Sequence, residues 1–585
     1  MSDTHAQTVS YVRDTMLSES EPPLTEKGVV KWLRENLFSS AMNGILTVLS
    51  LIAIYFIVAG LVPWLWNSVW TAGSLSECRE VLSTSGLGSH DGGCFAVIVE
   101  RWQQLIFGFY PSDLYWRPVL AFALFFVALA PILFAEKVPG QLLYFTLIYP
   151  FLAVWLIWGG AFWMPILIAL GFVVGYLTLV FGGKINAIVG VIGAILAAVV
   201  WWFLIMPFLN GAINAGVANS RLDAAPATLQ AEIDALAPEI AALEATMDDT
   251  TAQIGDLVAN KDAALAKVLE LREQGSAFEA EQQAFLSTMD DLMVVREELA
   301  EMNLQLPLLT DRQRKARDLL GRVNNLPDTK ARIAELRSQP ATESNAAMIQ
   351  TLRASVADTQ ANLGLIGLRP VSSREIGGFM LGIIIGVACI VLSLPLGILL
   401  ALGRQSPLFI INKICVVFIE VIRGVPLIVW LITASLLLNY FLPPGTNFDL
   451  MLRVIIMVTL FSAAYIAEVV RGGLAALPKG QYEAADALGL DYWKSMRLIV
   501  LPQALKISIP GIVNTFIGLF KDTTLVLFIG LLDPLGLAGA IRASTDWNGI
   551  YWELFAFIGL LFFIMCYSMG RYSLWLEKKL QREHR

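Results

Sequence analysis

The chain has 585 residues, 56% of them hydrophobic, with 16 Trp, 31 Phe and a mean hydropathy of +0.64. No water-soluble fold of this length hides so much apolar surface, so a soluble globular protein is excluded and a polytopic membrane protein is indicated. The net charge of −8 is uneven: residues 221–370 hold 24 Asp/Glu against 15 Lys/Arg, and the remainder is nearly neutral.

The first 35 residues are polar and carry Arg13, Lys27, Lys31 and Arg34. The first apolar run is long enough to be a span, so no cleavable signal peptide is expected. About 20 apolar residues cross a bilayer. Ten segments meet that requirement: 41–66, 118–135, 142–158, 161–181, 186–208, 377–403, 408–440, 450–471, 508–531 and 552–575. The expected fold class is therefore all-α, a polytopic helical membrane protein of about ten transmembrane helices. Lysine and arginine favour the cytoplasmic loops. The basic start, Lys137, Lys184, Arg404 with Lys413, the 472–507 loop and the tail "RYSLWLEKKLQREHR" all fall on one side if there are ten spans. Both termini are then cytoplasmic. The expected parts are a cytoplasmic segment 1–40, a membrane region 41–208 with an external loop 67–117, an external insert 209–376, a second membrane region 377–575 and a basic tail 576–585.

Cys78 and Cys94 share the external loop, where an oxidising compartment lets a disulfide persist. Two free thiols are the alternative. Trp64, Trp66, Trp201 and Trp202 lie near segment ends and read as an interfacial belt. Three histidines (His5, His90, His584) offer no basis for a metal or catalytic centre, and no cofactor is expected.

In the insert, Leu229, Ile233, Leu236, Ile240, Leu243, Met247, Ile254 and Leu257 alternate in steps of four and three, with Thr250 filling the gap. That is a heptad seam of a coiled coil. A second helical stretch holds Ile333 and Leu336, then Ile349, Leu352 and Val356. Pro307, Pro327 and Pro340 are expected to break the segment, and an antiparallel helical hairpin is the expected form. It either docks a soluble partner or serves as a spacer.

Between the spans ending near 471 and starting near 508 lies "EAADALGLDYWKSMRLIVLP", Glu483 to Pro502. Glu483, Ala484 and Ala485 start a short helix of strong formers, and Gly489 ends it. A second helix resumes at "LDYWKSMRLIV", and Pro502 is expected to close it. The pattern E-A-A-x3-G-x9-I-x-L-P is met at Glu483, Ala484, Ala485, Gly489, Ile499, Leu501 and Pro502.

This loop resembles the EAA loop of ABC importer permeases. "FIEVIRGVPLIVWL", "AAYIAEVVRGGLAALPKGQYEAADALGL" and "LPQALKISIPGIVNTFIGLFKDTTL" are similar to the permease subunits of polar amino-acid importers (the histidine/glutamine/general L-amino-acid family) over 377–575. The N-terminal "WLRENLFSSAMNGILTVLSLIAIYFIV" and "FAVIVERWQQLIFGFYPSDLYWRPVL" look like the general L-amino-acid type with extra spans. The insert departs from the family pattern. The resemblance implies a non-catalytic subunit of the bacterial inner membrane that moves polar or general L-amino acids. It implies a five-span type I core, a cytoplasmic ATPase dimer gripping the EAA loop, a second related permease, and a periplasmic amino-acid-binding protein. No nucleic acid partner is expected; the bilayer is the solvent. Another solute, an opine or small peptide, and a non-transporting scaffold using the external helices remain as alternatives. The chain has no G-x4-G-K-[ST] phosphate loop, since "FGGKIN" lacks the first glycine and the hydroxyl, so it does not itself hydrolyse ATP.

Charges within spans are costly and often functional. Lys521 and Asp522, in "GLFKDTTLVLF", read either as part of a substrate path or as a structural pair. Glu420, Arg423 and Glu468, with Arg471, read as path residues or as braces for the coupling loop. Gly424 and Pro426 are expected to break their helix locally.

Overall fold

The computed structural model describes residues 28–88, 91–134, 137–339, 343–436 and 449–582. Arg13, Lys27, the three histidines, Pro340 and the loop 442–448 lie outside the described residues, as does the end of the expected 408–440 span.

All ten apolar segments become helices. Eight are long and apolar enough to cross a membrane. They are α2 (Ala41–Trp66), Ser112–Leu133, which contains α5 (Trp116–Leu133), α7 (Met164–Gly183), Val189–Arg221, α14 (Gly378–Arg404), α17 (Leu450–Ala475), Tyr492–Ile529, and Trp552–Leu580 within α22 (Trp552–Arg582). A ninth is α15 (Phe409–Gly424) with α16 (Leu427–Leu436), bent by 100° at the glycine-proline break. The shorter α6 (Leu142–Trp158) is the tenth. The expected tail from 576 is not separate, because α22 runs on unbroken to Arg582.

Trp201 and Trp202 do not stand at the end of a helix. The helix that holds them continues through a five-residue π stretch and α9 (Met206–Arg221), so they sit within the element and not at its end. Their indole N–H groups donate to Leu167 O at 2.8 Å and Ile168 O at 3.1 Å on α7. An indole N–H in a span needs a partner, and a neighbouring carbonyl supplies one.

The insert is built from α10 (Ala225–Glu273) and α11 (Glu279–Asn324), joined by a short turn. Arg312–Glu232 at 2.8 Å and Lys267–Glu281 at 3.2 Å fix them antiparallel. Every position from Leu229 to Leu257 on the seam is buried or half-buried. The facing seam on α11 holds Phe285, Met289 and Leu292, all buried. Pro307 does not break α11; it lies inside one 46-residue helix. A proline here removes one backbone donor, and the packed seam holds the helix together across it. Pro327 does mark a boundary, at the start of α12 (Leu326–Ser338). α13 (Glu343–Leu363) then returns along α9.

The returning strand is stitched to the membrane helices. Gly367–Leu368 pairs antiparallel with Gly160–Ala161. Arg117 Nη1 donates to Arg369 O at 2.7 Å, and the Val371 N–H donates to Trp158 O at 2.9 Å. Gly378, at φ 61°, then opens α14 so close to α4 (Ala96–Phe107) that a Cβ would stand 2.5 Å from Leu105 O. Only glycine fits that backbone and that gap.

The seam rule continues past Leu257 to position 261, where a lysine stands. Lys261 is 5% exposed and reaches out of the hairpin to Glu80, at 2.8 Å. Arg296 grips the buried Glu77 with both carboxylate oxygens, at 2.5 and 2.6 Å, and Arg272 Nη1 donates to Ser83 O at 2.8 Å. Glu77, Glu80 and Ser83 all lie on α3 (Leu75–Thr84). From Ala225 to Lys261 the helix rises about 54 Å, so the hairpin lies across this face of the protein and lands its far end on α3. α3 is tied by a Cys78–Cys94 disulfide, with Cα atoms 6.1 Å apart. Around it a core of Val97, Leu105, Leu537, Trp547 and Ile558 joins α4 to α21 (Pro534–Arg542) and α22. The Cys94 N–H donates to Glu553 Oε1 at 2.8 Å, and Trp547 Nε1 to Glu100 Oε2 at 2.8 Å.

Reversing Arg296 to Glu leaves the buried Glu77 carboxylate unpaired, at a cost of about 2 kcal/mol. Amide hydrogen exchange is expected to rise at 75–84 and around 261–296, with α17 unchanged. Equal protection in wild type and variant would show that the hairpin end is held by something else.

Candidate functional site: the coupling loop

α17 ends at Ala475, and its apolar face continues into the loop. Val470, Leu474, Leu477, Met496, Val500 and Ala504 form one buried cluster, with Tyr482 packed against it. α18 (Gly480–Ala487) lies across this cluster. Ala485 is fully buried, whereas Glu483 and Ala484 face solvent. One alanine of the pair is thus the contact for close packing, and the other lies on the outer face with the carboxylate.

The end of α18 is a Schellman motif. The Gly489 N–H donates to Asp486 O at 2.9 Å, and the Leu490 N–H to Ala485 O at 3.2 Å. Gly489 has φ 71°, a left-handed backbone that an L side chain adopts at a cost of about 1–2 kcal/mol. Asp491 then caps the next helix, α19 (Tyr492–Ser495), accepting from the Lys494 N–H at 2.9 Å. That hydrogen bond and the Lys494 ammonium hold the Asp491 carboxyl below its ordinary pKa.

Pro502 does not close the second helix. α19 passes through a π stretch, Met496–Val500, directly into α20 (Leu501–Asp522), with Pro502 in the first turn. The missing proline N–H falls where the wider π turn already disrupts the ladder, so the rod continues into the membrane. Ile499 and Leu501 are half-buried, between the buried Met496, Val500 and Ala504, while Pro502 is exposed. Gln503 Nε2 donates to Gln481 Oε1 at 3.0 Å and ties α18 to α20. The outer surface presents Leu488, Trp493 and Leu498, which are 74%, 69% and 64% exposed. The motif did not single out these exposed apolar side chains; the Trp in "DYWKS" was the available signal.

Glu420, Arg423 and Glu468 come together at the same end of the bundle. Glu468 on α17 pairs with Arg471 at 2.9 Å, Arg423 at 3.7 Å and Arg404. Arg404, at the end of α14, also meets Glu420 at 3.1 Å, and Arg423 lies over the Tyr465 ring at 5.2 Å. Three helices are thus braced through one carboxylate. Lys521 and Asp522 are not part of this group. They end α20, about 30 Å along the helix from Leu501, and the chain continues from them as a 3-10 helix to Ile529. Lys521 is exposed and Asp522 half-buried, and neither makes an ion pair among the described residues.

A polytopic helical protein with a rigid, surface-exposed loop of this pattern is a transporter's membrane subunit. Residues 393–582 match the family described as binding-protein-dependent transport system inner membrane component. The whole chain is 42% identical to the glutamate/glutamine/aspartate/asparagine transport system permease protein BztC of Rhodobacter capsulatus, with all of both chains covered. It is 50% identical over 216 residues to the inner membrane amino-acid ABC transporter permease protein YhdY of Escherichia coli K12, spanning 37% of this chain and 59% of that one. A crystal structure of an amino acid ABC transporter with histidines matches 34% of this chain and 90% of its own, at 29% identity and a TM-score of 0.31. The chain belongs to the permease family of amino-acid ABC transporters. Its insert is not peculiar to it, because the full-length relative aligns across that region.

Gly489→Val, with a branched side chain at φ 71°, is expected to fray the end of α18. Limited proteolysis should cut near 488–491 faster, while Gly489→Asn, which tolerates this backbone, stays near wild type. Wild-type cleavage in the valine variant would remove the left-handed cap from the account of the loop's rigidity.

Proposed function

We propose that this chain translocates polar L-amino acids, of the glutamate, glutamine, aspartate and asparagine class for which its full-length relative is named, across the bacterial inner membrane. A separate cytoplasmic ATPase dimer grips the loop at Glu483, Ala484 and Leu488. A second, related permease completes the path, and a periplasmic binding protein delivers the substrate. Both termini and the coupling loop face the cytoplasm; the hairpin and the Cys78–Cys94 loop face the periplasm, where the disulfide persists.

The observation that carries this reading is the cluster joining the loop to α17 and α20. A push on α18 moves two spans as one body, which is what rigid-body switching between two access states requires. Ala485, Ile499 and Leu501 hold the lever to the bundle, Gly489 and Pro502 shape it, and Glu483 with Ala484 meets the motor. Glu420, Arg423 and Glu468 neutralise one another and act as a brace. Lys521 and Asp522 have no such partners and are the candidates to meet the carboxylate and ammonium of the passing amino acid.

Glu483→Lys in the assembled transporter, reconstituted in proteoliposomes, is expected to lower ATP-driven uptake of labelled glutamate at least tenfold at unchanged insertion. Undiminished uptake would refute the loop's role. Lys521→Met should raise the KM for glutamate more than it lowers kcat if the ammonium meets substrate; an unchanged KM assigns Lys521 to structure.

A further inference from the structure

α2 is unlike the other spans. It is 26 residues long and strongly apolar, yet none of its residues is buried. Its end is tied to the disulfide loop, where the Gly93 N–H donates to Trp64 O at 2.9 Å and the Trp64 and Phe95 rings meet edge-on at 5.3 Å. Below that tie a cavity of about 710 Å³ opens between α2, the disulfide loop and the start of α22.

One wall of the cavity is Ile57, Gly60, Leu61 and Trp64, a single face of α2. Ile57 lies about 13 Å along the helix from Trp66, roughly the hydrocarbon depth of one leaflet. The opposite wall begins at Trp552, which is 78% exposed, and descends to Ala556. The space therefore runs from the interfacial level into the acyl region. Two charged side chains reach it. Glu553 is 8% exposed and accepts from the Cys94 N–H. Arg79 is exposed and makes no ion pair or hydrogen bond among the described residues. A free guanidinium above an apolar slot, at the edge of a bilayer, matches an amphiphile with an anionic head; the planar fork of arginine suits a phosphate.

We propose that this cavity holds one glycerophospholipid, its phosphate on Arg79 and an acyl chain in the slot beside Ile57, Gly60 and Leu61. The lipid then supplies the packing between α2 and α22 that the chain itself does not.

The test is native mass spectrometry of the full chain, purified in detergent and delipidated, then titrated with palmitoyl-oleoyl phosphatidylglycerol. Wild type is expected to retain one lipid. Arg79→Glu should weaken retention about tenfold or more. Gly60→Trp should abolish it, since nothing lies within 4 Å of a Cβ built at Gly60 and the indole has the slot to fill. Circular dichroism melts check that both variants fold; Arg79, being exposed and unpaired, is not needed for that. Excess inorganic phosphate should not displace the lipid. Equal retention by wild type and both variants would overturn the proposal in favour of a non-specific lipid belt. Displacement by inorganic phosphate would reduce the site to a free-anion site. Cross-linking of Gly60→Cys to the second permease in the assembled transporter, with no lipid retained, would assign the slot to a partner helix and overturn the proposal.

Discussion

The buried contact among Leu474, Leu477, Met496, Val500 and Ala504 fixes the loop between α17 and α20 to the helices on either side of it. Without it, α18 would be a short amphipathic helix of eight residues, too short to persist alone in water. With it, the loop, the end of α17 and the start of α20 form a single body. The Schellman turn at Gly489 and the Asp491 cap complete that body by satisfying backbone groups at each helix end. The Glu468 cluster extends it sideways to α14 and α15 through arginines. Taking such charges out of water is expensive, and mutual pairing is what makes their position near the membrane tolerable.

The opposite face follows a different logic. There the acidic hairpin is held to itself by an apolar seam and to the rest of the protein by charge. Lys261 and Arg296 leave the hairpin to reach Glu80 and Glu77, and α3 passes the contact to a small core shared with α21 and α22. Burial disfavours the Lys261 ammonium, but its hydrogen bonds to the Glu80 and Asp262 carboxylates outweigh it and hold its pKa above the ordinary value. The hairpin is thus in contact, through α3, with the same helices that end the transport core. An apolar seam specifies which helices pair; the polar contacts specify where the pair lands.

Much of this was legible in the residues. The ten apolar segments, the break at Gly424–Pro426, the heptad seam and the helix end at Gly489 all follow from local rules: length of apolar run, period of burial, and the backbone needs of glycine and proline. The errors were also local rules, applied where tertiary packing overrides them. Pro307 and Pro502 were read as stops, but a helix packed along its length, or widened by a π turn, tolerates one missing donor. Trp201 and Trp202 were placed near a segment end because the end of the apolar run was taken for the end of the helix, which runs on to Arg221.

By itself, the sequence determined that this is a helical membrane protein, which segments are apolar helices, and which short polar loop stands between two of them. These depend on residues near one another along the chain. Only the tertiary structure decided that Glu468 also serves Arg404 and Arg423 and that the hairpin lies down onto α3. It also left α2 standing apart above a cavity crowned by Arg79. Those pairings join residues from tens to hundreds of positions apart, and no periodicity records a contact whose partners share neither helix nor loop.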